Sequence, residues 1–218
     1  MTELFFTVFS AAFFVTIIRT STPLLLSTMG GLVADLSGAL NVALEGMMLT
    51  GALTAVLVSV YAPWYVAVLA GMSAGAMLGL IMAFFAFRMR ADIILVGFAI
   101  NILAAGGTVF ALSLATGGDK GTSINLPSKA VPAVDLSFLS GIPVVGPFLT
   151  SILSGHSVLS WFAAFVVFAV WYFLYRTPWG LWLRGVGEYP AAPEAAGIPV
   201  NLVRTLSLAV SGALAGIG

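Results

Sequence analysis

The sequence contains no cysteine, which excludes a disulfide framework and thiolate chemistry. It has a single histidine, His156, which argues against a histidine-built metal site. Charge is scarce too. Eight basic and eight acidic residues cancel to zero and make up 7% of the 218 residues, against about 25% in soluble domains. So little charge does not cover the surface of a water-soluble fold. Disorder is excluded, because it requires low hydrophobicity and high net charge. With zero net charge no nucleic-acid partner is expected, since phosphate binding needs a clustered basic surface. Met1-Thr2-Glu3 lacks the basic start of a secretory signal, so none is expected.

Hydrophobic residues are abundant, at 61% against roughly 45–50% in soluble domains. A membrane span needs about 20 mostly apolar residues, and helices satisfy their own backbone there. The expected fold is all-α: one polytopic transmembrane bundle over residues 1–218, with six or seven membrane segments. The charges mark its boundaries. Apolar segments run over residues 4–18, 22–34, 42–60, 64–87, 93–115, 158–175 and 206–218. Segment 22–34 is short and either crosses fully or re-enters. The final 13 residues would rise about 20 Å as a helix, short of a hydrocarbon core of roughly 30 Å. The last span is therefore expected to be incomplete, and the protein to be truncated at its C-terminus.

Basic residues near span ends set the orientation. Arg88, Arg90, Arg176 and Arg184 define a cytoplasmic side, joined by Asp35 and Arg204, and alternation puts Lys120 and Lys129 on the other. Residues 116–157 form the extracytoplasmic segment. Its Pro127, Pro132, Pro143 and Pro147 break any long helix, and its apolar runs at 138–139 and 142–145 are expected to pack on the membrane surface or the bundle. Residues 176–200 form the main cytoplasmic connection. Ser37-Gly38-Ala39-Leu40 recurs as Ser211-Gly212-Ala213-Leu214, which reads as coincidence in an Ala/Gly-rich sequence.

Gly71-Met72-Ser73-Ala74-Gly75 matches the hydrolase pattern G-x-S-x-G, but it lies within a span and the sole histidine is in another segment. The glycines extend further: Gly71, Gly75 and Gly79 recur every four residues and make a smooth seam for a neighbouring helix. No nucleotide-binding loop is present, so no catalytic residue, cofactor or metal is expected. Asn41 and Glu45, four apart, share a helix face continued by Met48. They line a solute path, or they serve the helix N-terminus, with Asn41 or Ser37 as cap and Glu45 on the positive dipole end. Asn101 is the polar exception in its span and either binds a neighbouring helix or faces solute. Asp92 is expected to pair with Arg88 and Arg90, and His156 to be an exposed loop residue. The tryptophans and tyrosines near span ends form an interfacial belt.

In the cytoplasmic connection, Pro190 fits the first helical position of a short helix that Gly197 stops. Such a helix either docks on a partner or is an ordinary loop.

Three ordered segments resemble the permease subunits of bacterial ABC importers, in the nucleoside and simple-sugar branch of the branched-chain amino acid/simple sugar permease superfamily. The first runs from Thr22-Pro23 to Gly51-Ala52 and includes Asn41-Val42-Ala43-Leu44-Glu45-Gly46-Met47-Met48-Leu49. The second contains Arg176-Thr177-Pro178-Trp179-Gly180-Leu181 and Arg184-Gly185-Val186-Gly187-Glu188-Tyr189-Pro190, with Tyr189 where the family usually has Asn. The third is Ser211-Gly212-Ala213-Leu214-Ala215-Gly216. The resemblance implies a multi-pass subunit of the bacterial cytoplasmic (inner) membrane. Its partners would be cytoplasmic ABC ATPase subunits, a second permease subunit, an extracytoplasmic solute-binding protein and membrane lipid. It implies that Arg184, Gly187, Glu188, Tyr189, Pro190, Glu194 and Gly197 form the ATPase-coupling segment. It also favours Asn41 and Glu45 as lining or bracing the pathway, for which Met48 and Asn101 are the further candidates. A non-transporting scaffold, or a truncated remnant of such a permease, is the alternative.

Overall fold

The structure, a computed structural model, describes residues 11–117, 129, 131–134 and 155–218. In sequence order its helices are α1 (Ala11–Asp35), α2 (Leu44–Tyr61), α3 (Trp64–Ala83, continued by a π-helical turn over Phe84–Arg88), α4 (Ile93–Ala115), α5 (Val158–Arg176), α6 (Pro178–Glu188), α7 (Ala191–Ala195) and α8 (Val200–Ile217). Two two-residue strands, β1 (Ala133–Val134) and β2 (His156–Ser157), pair antiparallel just before α5. The helical bundle is the expected fold class. Among the described residues, α2, α3 with its extension, α4, α5 and α8 are long and apolar enough to cross a membrane.

The segments on either side of Arg19 are not separate. They lie in one helix, α1, which runs through Pro23; the part of segment 4–18 before Ala11 lies outside the described residues. Pro23 leaves only the Arg19 carbonyl without its helical donor. Hydroxyls of Thr22, Ser27 and Thr28 donate to carbonyls four residues back, which is compatible with an unbroken helix.

The last helix also differs. It begins at Val200, not at Leu206, because Arg204 lies inside it and donates to the backbone rather than marking a boundary. Its 18 residues rise about 27 Å. Asp92 does not hold the neighbouring arginines: its carboxylate caps α4, accepting from Ile94 N (2.8 Å) and Leu95 N (3.3 Å). His156 is buried, at 4% exposure, and lies in the β1–β2 ladder opposite Val134 rather than in an exposed loop. Apart from Lys129, whose Nζ donates to the Ala62 carbonyl, and residues 131–134 and 155–157, the expectations for segment 118–154 lie outside the described residues. That includes the placement of Lys120 and the packing of runs 138–139 and 142–145.

Helix α8 is the most buried span and packs on α3, α1 and α2. Three small-residue contacts bring α3 against it. A Cβ on Gly71 would lie 2.8 Å from the Gly216 carbonyl oxygen, and Cβ atoms on Gly75 and Gly79 would collide with the carbonyl oxygens of Gly212 and Leu208. Gly51 of α2 meets Gly216 in the same way. Lipid tails are as apolar as leucine, so helices here associate through close dispersion contact, which missing side chains permit. Around this seam lies the main core, with Ala34, Ala39, Met47, Met82, Ile100 and Leu208 buried together.

Gly75→Val is expected to lower the unfolding midpoint in detergent by several degrees, since overpacking of this kind costs ~1–3 kcal/mol or more. Gly106→Ala, where a Cβ meets nothing within 4 Å, is expected to leave the midpoint unchanged or raise it slightly. Tryptophan fluorescence on heating checks both.

Candidate functional site

The charged ends of the helices converge. The backbone turns from α5 into α6 through Thr177, which caps α6 by accepting from Gly180 N at 3.2 Å and donates to the Phe173 carbonyl at 2.5 Å. Pro178 occupies the first helical position, where no amide donor is needed. Gly180 has no room for a Cβ against the Phe173 and Leu174 carbonyls. Arg184 closes the corner: its guanidinium stacks over Tyr175 at 5.0 Å and its Nε donates to the Gly180 carbonyl. Arg184 is thus engaged within the protein itself. Periodicity in the connection did not reveal α6, although Thr-Pro is a helix-start signal.

Beyond α6 the backbone forms the short helix α7. Pro190 sits immediately before it rather than in its first turn, and Pro193 takes the first-turn place that tolerates proline. Gly197, with φ +82°, ends α7 in a Schellman motif. Ile198 N–H donates to the Pro193 carbonyl (2.9 Å) and Gly197 N–H to the Glu194 carbonyl (3.0 Å). Glu188, Tyr189, Glu194 and Gly197 are exposed. A cleft of about 580 Å³ opens between α7 and α8, lined by Pro190, Glu194, Gly197, Asn201 and Arg204 among others.

Gly187, at the end of α6, sits against the turn 36–43 that joins α1 to α2. A Cβ there would collide with the Leu36 carbonyl oxygen. Gly38, at φ +74°, needs the left-handed region, and a side chain there would meet Arg204 Nη2 at 3.1 Å. Arg204 Nε donates to the Ser37 carbonyl at 3.2 Å. Ser37 and Asn41 are buried.

Asn41 precedes α2 rather than lying on it, so it does not share a helix face with Glu45 and Met48. Its amide donates to Ser211 Oγ on α8 (2.8 Å) and to Met47 Sδ (3.3 Å), and its oxygen accepts from Ala43 N. Neither Asn41 nor Ser37 is the cap residue of α2, since Ala43 holds that position without a side-chain bond. The bond comes from another helix: Asn101 of α4 accepts from Gly46 N (2.8 Å) and donates to the Val42 carbonyl (2.9 Å). Gly46 is small because a Cβ would lie 2.9 Å from Asn101 Oδ1. Glu45 is exposed on a face with Leu49 and Ala52, and Met48 is half-buried at the core edge. The four pathway candidates therefore divide. The two asparagines tie the turn to α8 and α4, while Glu45 faces outward. Ser37, Arg204 and Ser211 were not singled out as site residues. Arg204 carried a signal, as a lone charge among apolar residues. Ser73, the serine of the hydrolase-like pattern, is exposed on α3 and donates to the Ala70 carbonyl of its own helix.

Against known proteins, the family model described as branched-chain amino acid transport system / permease component matches residues 13–218. The guanosine ABC transporter permease protein NupQ of Bacillus subtilis is 37% identical over 206 residues, covering 90% of this chain and 62% of that protein. The nucleoside ABC transporter permease protein NupC of Lactococcus lactis is 33% identical over 206 residues, covering 91% and 62%. TsgC13 of Haloferax volcanii, provisionally named a glucose ABC transporter permease protein, is 30% identical over 210 residues, covering 95% and 61%. The chain thus spans a little over three fifths of the length of these relatives. No solved structure matches.

Asn101→Leu is expected to destabilise the protein by ~2–5 kcal/mol, because it leaves the Gly46 N–H and the Val42 carbonyl unpaired. Ser113→Ala, whose hydroxyl only returns to the Phe110 carbonyl of its own helix, is expected to change little. Unfolding midpoints in detergent separate the two.

Proposed function

The chain belongs to the branched-chain amino acid transport system / permease component family, and from that premise we propose that it is the membrane-spanning subunit of an ATP-driven importer of nucleosides or related sugars. The family component is a permease rather than a catalyst, and the five apolar helices among the described residues make this a multi-pass protein of the bacterial inner membrane. Nucleosides are favoured because NupQ and NupC carry guanosine and nucleoside in their names.

The observation that carries the mechanism is the exposed α6–α7 segment at the charged end. Arg88, Arg90, Arg176 and Arg184 put that end in the cytoplasm by the positive-inside rule. Helix α7 is capped by its Schellman motif and presents Glu194 outward, while Glu188 and Tyr189 are exposed where α6 ends just before it. It suits a groove on a cytoplasmic ATPase subunit, with a second permease subunit beside it and a solute-binding protein at the opposite face. Closure of the ATPase pair would push α7 and switch the bundle between inward and outward access. Glu45 fits the pathway side. Glu45 lies in the first turn of α2, and a carboxylate turned to lipid is unfavourable, so its exposed face calls for water or a partner subunit.

Deleting the protein is expected to abolish uptake of labelled nucleosides or simple sugars by the cell. Normal uptake of both, and of branched-chain amino acids, would refute the importer reading. Glu188→Arg combined with Glu194→Arg is expected to cut the amount of ATPase that co-purifies by about tenfold or more, the scale of a lost interfacial charge pair. Because both side chains are exposed, the unfolding midpoint should not move.

A further inference from the structure

Arg204 stands in two places at once. On one side it lines the cleft beneath α7 with Pro190, Glu194 and Gly197. On the other its Nε donates to the Ser37 carbonyl at 3.2 Å, and its Nη2 lies against Gly38. Among the described residues lining that cleft, it is the one whose side chain hydrogen-bonds the turn 36–43. We infer that Arg204 is a positioning residue for transport, the side-chain link through which a push passed along the backbone from α7 into α8 reaches the turn 36–43. The inference rests on the importer reading above.

The turn it holds is suited to passing on a displacement. Asn41 fastens it to Ser211 at mid-α8, and Asn101 fastens its last residues to α4 and the start of α2. Buried groups paired on several sides move together or not at all, because separating them leaves polar atoms unsatisfied in an apolar interior. On the cleft side, the Gly187–Leu36 contact seats α6 on the same turn without a side chain between them. That contact transmits a push but not a pull. The hydrogen bond from Arg204 acts in both directions. Arginine suits the task because it stays charged and can donate through Nε while Nη2 lies beside Gly38 of the same turn.

The test uses the full complex, reconstituted in vesicles with its ATPase and solute-binding protein, with tritiated guanosine as solute. Assembly yield, ATP hydrolysis and solute moved per ATP are measured together. Arg204→Met keeps the apolar stem and removes the donor. It is expected to assemble and hydrolyse ATP, yet move about tenfold less solute per ATP, the scale of one charge-assisted hydrogen bond. Arg204→Gln places an N–H at the same number of bonds from the backbone as arginine Nε. It is expected to recover to within about threefold of wild type. An Arg204→Met complex with the wild-type ratio overturns the inference. So does loss of transport and hydrolysis in proportion, or failed assembly, in both variants, since that marks a merely structural residue. A wild-type complex that hydrolyses ATP without moving guanosine, or any other labelled nucleoside or simple sugar supplied in its place, overturns the importer reading itself, and the inference with it.

Discussion

The turn 36–43 must pair its backbone groups without a helix to do it. It lies at the meeting point of α1, α2, α4, α6 and α8, with Ser37, Ala39, Asn41 and Ala43 buried. In such surroundings an unpaired amide or carbonyl costs several kcal/mol. The turn meets this demand partly from within. The Ala34 carbonyl accepts from Ser37 N, Ala39 N and Ser37 Oγ. The rest comes from outside: Arg204 serves the Ser37 carbonyl, and Asn101 serves Val42 and Gly46. Remove those partners and the Ser37 carbonyl, the Val42 carbonyl and the Gly46 N–H at the junction of five helices lose the bonds that the turn does not supply itself.

The glycine seam is the second constraint, and it determines which helix is central. Gly51, Gly71, Gly75, Gly212 and Gly216 let the backbones of α2, α3 and α8 approach until carbonyls occupy the space of absent side chains. Only a helix with small residues on several faces can sit in the middle of such a bundle. Helix α8 has Ser207, Ser211, Gly212, Ala213, Ala215 and Gly216 buried. The seam fixes α8 against α3, and Asn41–Ser211 then fixes the turn against α8. Packing and hydrogen bonding thus hold the charged end in register with the bundle. A short exposed helix, α7, is left at its surface with a rigid mounting.

Much of this was legible from residue order. The spans α2 to α5 match the apolar runs between charges closely, because a bilayer penalises charge inside a span and so places it at the ends. The Gly197 stop follows from local rules, since a left-handed C′ position selects glycine. What local rules mislead on is instructive. Arg19 and Arg204 look like boundaries and lie inside helices. Asn41 and Glu45 are spaced for one helix face, but the helix starts only at Leu44. Asp92 has arginines as sequence neighbours and bonds to amides instead.

The sequence by itself determined that this protein lives in lipid, that it is helical, and where glycine permits close approach. These are consequences of composition and of periods of a few residues. Only the tertiary structure decided which polar groups meet. Asn41 and Ser211 are 170 positions apart, Ser37 and Arg204 are 167 apart, and Gly46 and Asn101 are 55 apart. No periodicity connects such pairs. They are selected by the folded bundle, where every buried donor must find an acceptor and few polar side chains are within reach.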